Sequence, residues 1–238
     1  MKDLSISVFF PAYNDEKTIP ILIEDATSVL KPLTDDYEII IIDDCSPDNI
    51  GMIVDEIAKK DKHVKVIHHE KNRGYGGALK SGFKAATKDY IFYTDGDAQY
   101  DVKELKKLLK YAEDYDVVNG YKIKRRDKFY RMLLGKMYNK FARTMFNMNQ
   151  INDVDCDFRM FKKNVIKDIN LESDGGFICV EMMYKIHRAK YKIKEVPVNH
   201  YPRKYGKSQF FNFRRVARTL SNFAGGWWKL VIWERLKS

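Results

Sequence analysis

Cysteine is scarce in this chain: Cys45, Cys156 and Cys179 are the only three among 238 residues, and none is in a CxxC pair. A disulfide framework and a thiolate zinc site are both excluded, and a reducing compartment is the expected setting. No stretch approaches the ~18 apolar residues that a membrane-spanning helix needs. The opening Met1-Lys2-Asp3-Leu4 carries no apolar core of a secretory signal. The expectation is therefore a soluble or peripheral protein of the cytosol. The five histidines show no H-x-x-x-H spacing, so they read as surface or core residues rather than metal ligands. No glycine-rich turn follows the first strand-like run, so the dinucleotide-binding fingerprint is missing.

The chain is 45% apolar and 32% charged, a balance that excludes disordered and low-complexity classes. Its length suits one large domain or two small ones. The net charge of +10 favours an anionic partner: nucleic acid, a membrane surface or a phosphorylated substrate.

The first 120 residues alternate between two periodicities. Short β-branched or aromatic runs occupy Leu4–Phe10, Tyr37–Ile42, Val64–His68, Tyr90–Thr94 and Tyr115–Asn119. Helical patterns lie between them, at Thr18–Leu30, Asn49–Lys60, Gly76–Thr87 and Val102–Glu113. Such alternation predicts βαβ units and an α/β fold with a mostly parallel sheet. Beyond residue 120 the chain becomes basic and amphipathic. Phe129, Met132, Leu133, Met137, Phe141 and Met145 fall at helical spacing beside many Lys and Arg residues. A second such helix is expected over 213–231, ending in Trp227, Trp228 and Val231, with Trp233 just beyond. Either stretch suits a membrane interface, the alternative being a core-facing helix with one solvated side.

In open parallel sheets, ligands bind beyond the carboxyl ends of the strands, so the residues after each run carry the functional argument. These are Pro11-Ala12-Tyr13-Asn14-Asp15-Glu16, Asp43-Asp44-Cys45-Ser46, Asn72-Arg73-Gly74-Tyr75-Gly76-Gly77-Ala78 and Asp95-Gly96-Asp97-Ala98-Gln99. Four successive strand ends bearing carboxylates, amides or glycines argue for a site. Asp95, Asp97 and Gln99 offer oxygen ligands on alternate residues, the donor type that Mg²⁺ takes beside substrate phosphates. Gly74, Gly76 and Gly77 read as a close backbone approach that opens a helix. Strand-end acids would repel nucleic-acid phosphates, which disfavours nucleic acid as the partner.

The ordered set P-A-Y-N, D-D-x-S, N-x-G-x-G-x-A and D-x-D-x-Q, with Asp157-Phe158-Arg159 and the segment from His200 to Ser208, resembles the GT-A-fold family 2 glycosyltransferases. Within them it is most similar to the dolichyl/polyprenyl-phosphate sugar synthases. The resemblance spans roughly residues 4–210. It implies a catalytic unit over 1–210 and a C-terminal amphipathic helix over 211–238. It implies a nucleotide-sugar donor (UDP- or GDP-hexose), Mg²⁺ or Mn²⁺, a polyprenyl phosphate acceptor and work at the cytoplasmic membrane face, with or without a separate membrane-protein partner. By the same resemblance Pro11, Tyr13 and Asp15 line the base pocket, Asp43 bonds the base and Asp44 lies near the ribose. Asp95 lies near ribose and metal, Asp97 and Gln99 bind the metal, and Arg203, Lys207 and Ser208 close over the diphosphate. Lys122 stands where relatives carry Arg, Arg131 meets the acceptor phosphate, and Asp157 lies near the reacting centre. Two positions depart from the pattern: Asp15-Glu16 replaces a single Glu, and Gly135 replaces a serine. A glycosyltransferase that extends a cell-surface glycan and a non-catalytic nucleotide- or lipid-binding module are the alternative readings.

Overall fold

The computed structural model describes residues 4–125, 129–205 and 223–233, with side chains described over 4–123, 132–205 and 223–232. Seven strands form one sheet: β1 (Ile6–Ala12), β2 (Tyr37–Asp43), β3 (Val64–His68), β4 (Tyr90–Thr94), β5 (Val117–Arg125), β6 (Phe158–Lys162) and β7 (Ile193–His200). Their order is β3-β2-β1-β4-β6-β5-β7. All pairings are parallel except those of β6, which runs antiparallel to both β4 and β5. The α/β, mostly parallel architecture agrees with the expectation.

The strand β1 and the strand β2 are buried along their whole length. Their near-continuous apolar runs follow from helices covering both faces. One face packs on α1 (Ile19–Leu30) and α2 (Ile50–Lys60), the other on α3 (Gly74–Ala85) and α7 (Ile178–Arg188), giving two apolar clusters. From β1 the chain builds outward through β2 and β3, then crosses back to β4 on the other side of β1. That reversal opens a crevice between the carboxyl ends of β1 and β4. Pro11 is tolerated in a central strand because the β1–β4 pairing stops at Phe9, so no ladder bond to β4 needs its missing N–H.

Several boundaries differ from the sequence pattern. The helix expected over 102–113 is a 3₁₀ turn (Val102–Glu104) and a short α4 (Leu105–Leu109). Strand β5 extends to Arg125, six residues beyond the apolar run that marked it, because its second half pairs with β7 instead of reading as hydrophobic. The basic helix is α5 (Phe129–Met145). Its inner side buries Ala142, and Phe146 just past its end is buried too, while Leu133, Met137 and Phe141 are about half exposed at 49%, 59% and 51%. The stripe is thus divided: Leu133 and Met137 face outward, whereas Met145 packs against the second apolar cluster and the half-exposed Phe141 stacks on Phe223. At the other end of the chain the core-facing reading holds: Phe223 and Leu230 are buried, and the Trp227 indole donates to the Met145 carbonyl at 3.0 Å. There the helix over 223–227 continues as a π-helical segment, Trp228–Trp233, with Trp228 exposed. The remainder of the helix proposed for 211–238 lies outside the described residues.

A single buried carboxylate, Glu38 on β2, ties strands to loops. It accepts bonds from Ser7 Oγ (2.6 Å), Thr87 N (2.7 Å), Thr87 Oγ1 (2.8 Å) and Lys65 Nζ (2.6 Å). Burial pushes its acidity towards the neutral form, but the bonds from Lys65, Ser7 and Thr87 outweigh it and leave a pKa of about 2. A folded-state value below the ordinary 4.5 contributes stability that is present above that value and lost as pH falls through the folded one. Urea midpoints measured between pH 5 and pH 2 are therefore expected to fall more steeply for the wild type than for Glu38→Gln. Parallel curves would refute this role.

Candidate functional site

A left-handed residue follows each of the first four strands: Asn14 (φ 61°) after β1, Cys45 (φ 56°) after β2, Gly74 (φ 75°) after β3 and Ala98 (φ 54°) after β4. Three of these carry side chains, and left-handed backbone in such residues is uncommon and concentrates at functional turns. The β1 and β4 turns are locked together. Thr18 Oγ1 donates to the Gly96 carbonyl at 2.6 Å, and a Cβ on Gly96 would lie 2.5 Å from the Pro11 carbonyl.

This locking brings Asp15, Asp95, Asp97 and Asp157 to one crevice. Burial lifts Asp15 to about 6, against the opposing pull of the Tyr13 N–H and Arg203. Asp97 is raised by burial, with Arg203 and the Gln99 N–H working the other way. Asp95 is raised well above the carboxylate range by its enclosure, and next by the charges of Asp157 and Asp97. Protein encloses it on most sides although its own surface is only half-buried. Arg203 supplies the balancing charge. Its Nη2 and Nε lie 3.0 and 3.3 Å from Asp97 Oδ2, and Nη2 is 3.8 Å from Asp15 Oδ1.

The carboxylates are aimed by residues that sequence inspection did not single out. The Tyr75 hydroxyl donates to Asp95 Oδ1 at 2.6 Å. Cys179 Sγ donates to Asp157 Oδ1 at 3.0 Å, with the Tyr93 hydroxyl at 3.4 Å from the same oxygen. Tyr93 is in turn held at 3.1 Å by Arg159, a fully buried guanidinium that also binds Asn119 Oδ1 and the Val154 carbonyl. The arginine of Asp157-Phe158-Arg159 thus acts inside the fold. Only the i,i+2 alternation of β6, which sends Asp157 and Arg159 to the same face, could have hinted at it. Lys122 has a buried side chain, donates to the Asp155 carbonyl at 2.5 Å and lies 3.8 Å from Asp153 Oδ2. It also draws Asp95 back towards its charged form.

At the β2 end, the two aspartates have different fates. Asp43 faces His68 Nδ1 at 2.8 Å and accepts from Ser46 N at 2.9 Å. Asp44, expected near the ribose, spends both oxygens internally: on His69 Nδ1 (2.6 Å), Arg73 N (2.7 Å) and Gly74 N (3.0 Å). It is an anion seated at the N-terminus of α3, where the helix dipole favours negative charge. The glycines of that helix act as expected. A Cβ on Gly76 would lie 2.3 Å from the Ser173 carbonyl, and on Gly77 2.6 Å from the Arg73 Cβ. Glu181 holds the 172–173 strap there through two backbone N–H groups at 2.9 Å each. Tyr13 is exposed at the mouth and Pro11 is buried beneath it. The Gln99 amide donates to the Tyr201 carbonyl at 2.9 Å, tying the β4 turn to the loop that carries Arg203. Lys207, Ser208 and the Arg131 side chain lie outside the described residues.

Among the described residues, no group of three or more His, Cys, Asp or Glu side chains could hold a metal ion. The two acids of Asp95-x-Asp97 still fit the way Mg²⁺ is held, by one or two carboxylates with the remaining positions given to water and substrate phosphates.

The sequence profile described as Glycosyl transferase family 2 matches residues 7–169. The fold is similar to that of glucosyl-3-phosphoglycerate synthase from Mycobacterium tuberculosis, crystallised with Mn²⁺, uridine diphosphate and phosphoglyceric acid. The TM-score is 0.73 at 15% identity, over 95% of this chain and 78% of that one. It is also similar to S. aureus TarS (residues 1–349) in complex with UDP-GlcNAc, with TM-score 0.60 at 19% identity, over 86% of this chain and 60% of that one.

A carboxylate kept for the fold supplies stability, whereas one crowded among like charges subtracts it. Asp44→Asn is expected to lose about 1.5–3 kcal/mol of unfolding free energy, the worth of hydrogen bonds to a charged acceptor. Asp95→Asn at pH 7 is expected to lose nothing or to gain, because it removes an anion whose neutral form the site favours. Chemical denaturation of the two variants checks this, and the reverse order would sink the assignment.

Proposed function

This chain belongs to glycosyl transferase family 2, and from that membership we propose that it moves a hexose-type sugar from a UDP- or GDP-sugar onto a polyprenyl phosphate at the cytoplasmic membrane face. The observation that carries the proposal is the crevice between β1 and β4, where Asp15, Asp95, Asp97 and Asp157 meet with Arg203 as counter-charge. Such a cluster suits a ligand that brings its own cation and a departing diphosphate.

The donor's base would sit against Pro11, Tyr13 and Asp43, with the ribose towards Asp95. A divalent ion, Mg²⁺ or Mn²⁺, held through Asp95 and Asp97 and flanked by Gln99, would neutralise charge on the leaving diphosphate. Arg203 would turn from Asp97 to the diphosphate, joined by Lys207 and Ser208, and Arg131 would meet the acceptor's phosphate. Lys122 would temper the negative potential beneath the reacting carbon. A phosphate monoester has a second pKa near 6, so at pH 7 it attacks largely as a dianion and inverts the anomeric centre in one displacement. Asp157, fixed by Cys179 and Tyr93, would orient the reacting groups without taking a proton.

A second reading keeps the donor and changes the acceptor. It is favoured by the similar M. tuberculosis enzyme, which was crystallised with phosphoglyceric acid. A hydroxyl acceptor must lose a proton during attack and needs a general base, which would fall to Asp157.

One panel separates these readings: UDP- and GDP-sugars with Mg²⁺ or Mn²⁺, offered a short prenyl phosphate or phosphoglyceric acid, with products read by mass. The expected result is sugar on the prenyl phosphate, an Asp157→Asn enzyme that keeps most of its turnover, and an Asp97→Ala enzyme at least ~100-fold slower. Nucleotide binding that is indifferent to the divalent ion would remove the metal role. Transfer only to the hydroxyl acceptor would select the second reading.

A further inference from the structure

Away from the carboxylate crevice, a cleft of about 370 Å³ lies between α5 and the 149–152 loop. Its lining carries Lys136, Lys140 and Arg143 with Asn139, Asn149 and Asn152, and no acidic side chain. Lys136 and Lys140 have no ion pair among the described residues. Three cations that gather without compensating acids repel one another, and this arrangement persists at low cost only where an anion is expected.

The walls of the cleft are fixed in advance. Arg143 donates to the Asn149 carbonyl. Asn139 donates to the Asn152 carbonyl at 2.9 Å and accepts from Val154 N at 3.3 Å. Asn152 is clasped by Glu195, which takes its backbone N–H at 2.8 Å and its side-chain amide at 2.8 Å. Asp153 and Glu195, the acids bonded to this loop and to Asn139, are thus already engaged, Asp153 also by Lys122.

Beside the lysines on the same helix run Leu133, Met137 and Phe141, at four-residue intervals and about half exposed, Phe141 with its inner edge against Phe223. A soluble phosphate compound has no use for that apolar flank. A lipid does, since its headgroup phosphate and acyl boundary lie side by side. We infer that the Lys136–Lys140–Arg143 cleft binds the phosphate of an anionic lipid headgroup, while the adjoining apolar stripe dips into the bilayer surface. The inference deepens the membrane-surface part of the proposed function and stands apart from the identity of donor and acceptor.

The test uses the whole chain, sedimented with vesicles of phosphatidylcholine alone or containing phosphatidylglycerol. Lys136→Gln/Lys140→Gln is compared with Lys60→Gln/Lys62→Gln, an equal charge loss beside the edge strand β3. Each lysine near an anionic surface contributes enough that the α5 pair should weaken binding to the phosphatidylglycerol vesicles roughly 10- to 30-fold. The control pair should weaken it at most a few-fold, and nucleotide binding should be unchanged in both. All four side chains are exposed, so both variants should fold. Equal losses in the two pairs would mean diffuse attraction and overturn the site. Saturable binding of inorganic phosphate that the α5 pair abolishes, with vesicle binding indifferent to it, would give the cleft to a soluble ligand and overturn the lipid assignment. Failure of sugar transfer would leave these vesicle outcomes readable on their own.

Discussion

Carboxylates that share a poorly hydrated crevice repel one another, and the chemistry proposed for this chain depends on how that repulsion is held in check. Asp95 and Asp97 come from one turn, Asp15 from the opposite turn, and Asp157 from the entry to β6. Bond networks position them rigidly instead of letting them splay apart: Tyr75 on Asp95, Cys179 and Tyr93 on Asp157, the Gln99 N–H on Asp97. The crowding is relieved by charge. Arg203 lies on Asp97 at 3.0 Å and reaches towards Asp15, the place where a cation brought by a diphosphate would do the same work. A site that favours the neutral form of its acids before ligand arrives releases that strain when positive charge is delivered. Binding and charge neutralisation are then one event.

The strand–helix alternation of the first 120 residues and the four strand ends were legible in the sequence because each is a local signal. Apolar runs mark the inner strands, and the polar cluster after each run marks its turn; β3 and β4 coincide with their runs residue for residue. What was hidden depends on contacts distant in sequence. Arg159 and Tyr93 meet across an antiparallel pairing of β4 and β6, and no spacing rule announces that pairing. Asp44 is the instructive case. In sequence it is indistinguishable from Asp43, yet one residue along a strand reverses the face, and the two adjacent acids take opposite duties. Asp43 is set with His68, while Asp44 caps a helix that begins thirty residues later.

The amphipathic helices show the same boundary between pattern and packing. Periodicity predicts an apolar stripe on α5 but cannot say whether protein or something else meets it. The answer turns on neighbours: the rings of Phe146, Phe177 and Phe223 meet on the inner side, and Phe141 lies against Phe223 with about half its surface exposed, while Leu133 and Met137 are exposed. The Trp227 indole, which by composition suited a bilayer interface, is satisfied by the Met145 carbonyl, whereas Trp228 beside it is exposed.

The acceptor's chemistry decides what Asp157 must do, and its surroundings bear on that choice. A general base works best when its partners leave it free to accept a proton from the substrate. Here one oxygen of Asp157 already takes the Cys179 thiol and faces the Tyr93 hydroxyl, and Asp155 and Arg159 flank it in sequence and space. An acceptor that arrives ionised asks nothing more of it than orientation and a fixed negative field. An acceptor that arrives as a hydroxyl would need the second oxygen to compete for a proton while its neighbour is held. On the proposed reading the nucleophile is a phosphate, and a well-anchored acid is then asked only to stay where it is.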